Sequence, residues 1–94
     1  MAEDKALPDA GKGWGTEAFP LRFPFVFAGA EYRELTIRVP TGLDIRAYVE
    51  ARKPGYEALA RRIVDLDARV LEAMHGLDYA RLMTRVGEFL GEGR

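Results

Sequence analysis

The feature that most constrains the fold is a pair of alternating apolar runs separated by a short glycine-containing gap. In the first, Leu21, Phe23, Phe25 and Phe27 alternate with Arg22, Pro24 and Val26. That is a period of two in aromatic, strand-favouring residues. The second runs from Tyr32 to Val39, with Leu35, Ile37 and Val39 on one face and Glu34, Thr36 and Arg38 on the other. Together they predict a β-hairpin over residues 20–40. Parity sets the expected register, because a one-residue slip turns a strand's apolar set away from the core. Pairing Phe25 with Leu35, Phe23 with Ile37 and Leu21 with Val39 gathers six apolar side chains on one face, with Phe23 and Phe25 in the core. That register leaves Gly29-Ala30-Glu31 as the loop, Gly29 supplying a positive φ. Pro24 cannot donate to a ladder and marks an edge. An isolated hairpin is only marginally stable, so helices must cover its apolar face.

The remainder reads as helices. Thr41 follows Pro40 and precedes Asp44 by three, a capping-box spacing. Leu43, Ala47 and either Val49 or Ala51 are expected to face inward, and Pro54-Gly55 stops this helix. Tyr56, Leu59, Ile63, Leu66, Val70 and Met74 then recur at helical spacing, with a break expected near residues 65–67 and Asp67 capping a fresh helix. His75-Gly76 reads as a helix C-terminus. Asp78 is expected to cap the last helix, whose stripe is Leu82, Val86, Phe89 and Leu90. The order β-β-α-α-α-α defines an α+β fold, a hairpin packed on three to four helices. With 94 residues a single domain is expected: residues 1–19 a flexible glycine-rich tail, 20–40 the hairpin, and 41–91 its helical part. Trp14 in that tail has two readings, an anchor for a partner or a side chain folded back on the domain.

Composition excludes much chemistry. The chain has no Cys, Ser, Asn or Gln, and its only histidine is His75. Ser and Cys nucleophiles and disulfides are therefore excluded, and a zinc site would have to be built almost wholly from carboxylates. No catalysis, cofactor or metal is expected. The formal net charge of −1 offers little attraction to nucleic acid phosphate. No apolar run is long enough to span a membrane, and Met1 to Lys5 lack the pattern of a secretory signal, so the expected location is the cytoplasm. Gly11-Lys12-Gly13-Trp14-Gly15-Thr16 lacks the spacing of a phosphate-binding loop. Asp65, Asp67 and Asp78 could hold a metal or work as acid and base, but capping explains Asp67 and Asp78. Arg61, Arg62 and Arg69 are interleaved with Glu57, Asp65 and Glu72 at helical spacing, as on a solvated, salt-bridged face.

What remains is apolar surplus. Phe19, Phe23, Phe25, Phe27, Tyr32 and Tyr48 fall in one thirty-residue span, more than one hairpin face can bury. Two explanations stand: a partner-binding face, or cover by helices on both faces or by a second copy on one. The residues expected to bind a partner are Val26 and Tyr32, on the hairpin face opposite Phe25; Tyr48 and Tyr56, flanking Pro54-Gly55; and Met74 and Met83, whose side chains adapt to varied surfaces.

The run Phe27-Ala28-Gly29-Ala30-Glu31-Tyr32-Arg33-Glu34-Leu35-Thr36-Ile37-Arg38-Val39-Pro40-Thr41 resembles a pattern of small proteins of long-tailed bacteriophages. So do Ile63-Val64-Asp65-Leu66, Val70-Leu71 and Leu77-Asp78-Tyr79-Ala80-Arg81-Leu82 further on. The family resembled, over roughly residues 21–90, is the phage tail assembly chaperones of Mu-like and related phages. The resemblance implies a non-enzymatic protein of the bacterial host cytoplasm that binds the tape-measure protein and helps bring in tail tube subunits. A homo-oligomer is compatible with it; nucleic acid and membrane are not expected as partners. The rival readings are a small phage inhibitor of a host defence protein and a structural component of the tail.

Overall fold

The computed structural model describes residues 7, 9, 11, 13–51 and 55–91. The tail positions 1–6, 8, 10 and 12, the stop at Pro54 and residues 92–94 lie outside the described residues. The strands β1 (Thr16–Phe27) and β2 (Ala30–Arg38) form an antiparallel pair. Four helices follow: α1 (Gly42–Glu50), α2 (Tyr56–Ile63), α3 (Ala68–Ala73) and α4 (Gly76–Phe89). The α+β class and the element order are those read from the sequence. β1 starts at Thr16 rather than at residue 20, so the last part of the expected tail is strand. Just beyond it, the Val39 N–H donates to the Gly15 carbonyl at 3.0 Å.

The hairpin register departs from the parity argument. The loop is Ala28-Gly29, with φ of 53° and 82°, the left-handed pair that a two-residue turn matched to strand twist requires. Phe27 therefore faces Ala30 and Phe25 faces Tyr32, whereas at the far end Phe19 faces Leu35 and Glu17 faces Ile37. Between Pro20 and Phe25 the register shifts: the residues from Leu21 to Pro24 oppose Arg33 alone. Parity assumed one unbroken ladder. A wide bulge resets it midway, so the tight turn and the apolar pairing at Leu35 are both satisfied. The strand residues in the core are Phe19, Leu21, Leu35 and Ile37, and Phe23 is 41% exposed instead of central. Tyr32 shares a face with Phe25, their rings stacked with centroids 5.1 Å apart, and does not lie on the opposite face.

The helices break where the sequence says they should. Thr41 caps α1 in a full capping box with Asp44, and Asp67 accepts from the Arg69 and Val70 N–H groups at the start of α3. Leu59, Ala60, Ile63, Leu71, Met74, Leu82 and Val86 close over the hairpin. Val64, between α2 and α3, makes an antiparallel bridge to Ile37. One boundary and one helix face differ from expectation. His75 is the N-cap of α4, its Nδ1 accepting the Leu77 N–H at 3.1 Å, so α3 ends at Ala73, before His75, and Asp78 is not a cap. In α1 the inward residues are Asp44, Ile45 and Tyr48, while Leu43 is 59% and Val49 67% exposed. The α1 face is turned by Asp44, whose carboxylate is tied to two arginines outside the helix.

Candidate protein-interaction surface

Two buried carboxylates shape this surface from within. Asp44 accepts from Arg38 Nη1 at 2.7 Å and Nη2 at 3.1 Å, from Arg62 Nε at 3.0 Å, and from the Thr41 backbone N–H at 2.9 Å. The Arg38 hydrogen bonds dominate; burial opposes them, Thr41 and Arg62 assist, and the carboxyl is held well below the usual carboxylate range. One side chain thus locks the end of β2, the start of α1 and the end of α2. Sequence spacing identified it only as half of a capping box, because Arg38 and Arg62 converge on it only in the fold.

Asp78 does the corresponding work at the bulge. A strand bulge leaves N–H groups without ladder partners, and buried donors left unpaired are costly. Asp78 Oδ1 accepts from the Arg22 N–H at 3.1 Å and Oδ2 from the Phe23 N–H at 2.9 Å, while Arg81 Nη1 donates to Oδ1 at 2.7 Å. Burial alone would raise this carboxyl; the two backbone donors and Arg81 outweigh it, and the net shift is downward. Pro24 suits the same bulge because it has no N–H to satisfy. At the other end of β1, Arg85 on α4 holds Glu17 with two bonds of 2.6 and 2.8 Å.

With the bulge fixed, Phe23 is turned out of the core and stacks on the His75 ring, centroids 3.8 Å apart. Leu77, two residues along α4, is 59% exposed. This corner was not found by sequence reasoning; the available signal was Leu77, an apolar residue off the stripe of its helix.

The six residues expected to bind a partner are placed as follows. Val26 lies on β1 opposite Glu31 and is 68% exposed. Tyr32, half-buried, lines a recess beside β2 with Glu34, Thr36, Val64 and Leu66. Tyr48 on α1 and Met83 on α4 are half-buried against the core. Tyr56 opens α2 with its ring over Gly87 of α4, where a β-carbon would come within 2.9 Å of it. Met74 is 7% exposed and belongs to the core, yet it also lines a pocket between α2, α3 and α4. No described cavity brings two of the six together; they are distributed around the body. Trp14 is 51% exposed. Among the described residues, no helix is long and apolar enough to cross a membrane.

Fold and surface together define a small α+β protein whose buried carboxylates hold the architecture and whose surplus apolar side chains remain partly at the surface. Residues 18–91 match the family of phage tail assembly chaperone proteins, E, or 41 or 14. The match runs from within β1 through α4, and the chain belongs to this phage tail assembly chaperone family. No curated protein and no solved structure matches the chain.

Proposed function

We infer that this chain is a non-enzymatic chaperone of the host cytoplasm that binds the tape-measure protein of its phage and assists assembly of the tail tube around it. The observation that carries this reading, alongside family membership, is exposed apolar surface on a body whose core is otherwise closed. Val26, Leu43, Val49 and Leu77 are each more than half exposed. Such residues suit transient cover for the apolar stripes of a long helical client until its permanent partner arrives. Scattered sites of modest strength fit a client coated by many copies, where avidity supplies the overall affinity.

The test is co-expression with the tape-measure and tail tube proteins of the same phage, followed by affinity capture. The reading expects the client to stay soluble and to co-purify with the chaperone, with tail tube protein joining the complex. A client that is equally soluble without the chaperone would defeat it. So would recovery of the chain from purified virions as a permanent component, or capture of a host defence protein in place of tail proteins. Replacing Val26 and Leu77 by Ser tests the named surface: unchanged melting with a precipitating client supports it, and unchanged melting with a soluble client removes both residues from it.

A further inference from the structure

A pocket of about 270 Å³ lies where α2, α3 and α4 meet, lined by Glu57, Leu71, Glu72, Met74, Gly76 and Tyr79. Its chemistry is divided. Leu71 and Met74, 1% and 7% exposed, are apolar core residues reached from outside. Glu57 and Glu72 bring negative charge, and the Tyr79 hydroxyl donates to the Glu57 carboxylate. That bond, burial and the charges of Glu57 and Glu72 push the Tyr79 hydroxyl up to about 12, so the pocket already disfavours a further negative charge. Among the described residues neither carboxylate is ion-paired.

An apolar recess with an acidic lining fits one side-chain chemistry: a long aliphatic stem ending in a cation. Lysine and arginine lay such stems along apolar surface and keep the charged head at a polar edge. We propose that this pocket receives a basic side chain projecting from a helix of the bound client, the stem against Leu71 and Met74 and the cation beside Glu57 and Glu72. The proposal rests on the chaperone reading and specifies the partner's chemistry at one point of contact. Glu57 is then a shared residue, held in place by Tyr79 while its charge faces the incoming cation. Specificity follows as well, since an acidic side chain at the same position would meet two carboxylates.

The probe is a synthetic Ala- and Gln-based helical peptide with one central Lys flanked by Leu, compared with the same peptide carrying norleucine in place of Lys. Each is titrated into the isotope-labelled protein, and the dissociation constant is read from the Tyr79 and Met74 resonances. The Lys peptide should bind roughly fivefold more tightly than the norleucine peptide, the size expected of a partly exposed ion pair. Glu72→Gln, at an exposed position of α3, should weaken that preference, leaving Glu57 as the one carboxylate beside the cation. Gly76→Leu should weaken both peptides, because a side chain there meets nothing within 4 Å and would occupy the recess. Equal binding of the two peptides, a preference that Glu72→Gln leaves unchanged, or no shift at Tyr79 with millimolar peptide would each overturn the proposal. These measurements do not use the tape-measure protein, so their failure leaves the chaperone reading standing. Failure of the co-expression test with an intact lysine preference strikes the chaperone reading alone.

Discussion

Removing the Asp78 carboxylate should do more damage than removing any charge at the surface. Asp78 is 1% exposed and satisfies two backbone N–H groups that the β1 bulge has detached from the ladder. In Asp78→Ala both donors lose their partner, at about 1–3 kcal/mol each. Arg22 and Phe23 are themselves exposed, so water can reach part of the gap and the lower half of that range applies. The Arg81 side chain, 37% exposed, can return to solvent, so its lost pairing adds less than about 1 kcal/mol. The sum is about 3 kcal/mol, a large share of the roughly 5–15 kcal/mol that holds a domain together. The melting temperature should fall by at least about 12 °C on the scaling for domains of this size. Asp78→Asn should cost about 2 kcal/mol, because the amide oxygen can accept one N–H while the amide NH2 group faces the other. Arg81→Ala should cost about 1 kcal/mol or less. Urea unfolding of the three variants measures this order, and the Phe23 and His75 ring resonances should lose their mutual stacking shifts in Asp78→Ala. A loss below about 1 kcal/mol in Asp78→Ala, with the stacking shifts intact, would show that the bulge does not depend on this carboxylate.

Other consequences are equally open to measurement. Asp44 and Asp78 are both held below the usual carboxylate range in the folded state, so their stabilisation is present above about pH 4, where the unfolded carboxyls ionise, and is lost as pH falls further. Thermal melts between pH 7 and pH 2 should show a steep decline starting near pH 4, reduced in Asp44→Asn relative to its own value at neutral pH. Ile37, fully buried, should lose about 2–5 kcal/mol on replacement by Ala, whereas the partly exposed Phe23 should lose roughly 1–2 kcal/mol; comparable losses in urea unfolding would return Phe23 to the core. Gly87→Ala should be destabilising in the natural chain, because the new methyl meets the Tyr56 ring at 2.9 Å. In a Tyr56→Ala background the same change should stabilise by about 1 kcal/mol through helix propensity, and a double-mutant cycle reads this reversal of sign.

Local chemistry was legible in the sequence, and convergence was not. Period two in Phe23, Phe25 and Phe27 announced a strand, and Thr41 and Asp67 announced helix starts, because each signal lies within a few residues of its effect. The hairpin register failed for the opposite reason. Its bulge is held by Asp78, 55 and 56 residues from the two N–H groups it accepts, and no pattern within β1 contains that information. Hydrophobicity places Leu43, Ala47 and either Val49 or Ala51 on the inner face of α1, yet the orientation of that helix is decided by where Arg38 and Arg62 meet Asp44, and Leu43 and Val49 are exposed. His75 sat at a genuine boundary and was given to the helix on the wrong side of it, since the N-cap role uses a ring nitrogen that the C-terminal reading leaves free. Of the candidate surface, Val26 was recognised as an apolar residue outside the core. The acidic recess was not found, because Glu57, Glu72 and Tyr79 come from three helices and look like ordinary solvated positions in each.

The Asp78 clasp also bears on the order in which the molecule can be made. Translation delivers the two strands first and α4 last, and domains gain structure as they emerge. While α4 is still within the ribosome, the bulge has no acceptor for its two N–H groups, Glu17 lacks Arg85, and Leu82 and Val86 are missing from the core that Phe19 and Leu35 share with them. A nascent hairpin therefore has no stable intermediate to rest in. The sheet is therefore expected to complete only once α4 is free to pack on it, which pulse-labelling hydrogen exchange would read as protection appearing in β1 and α4 together.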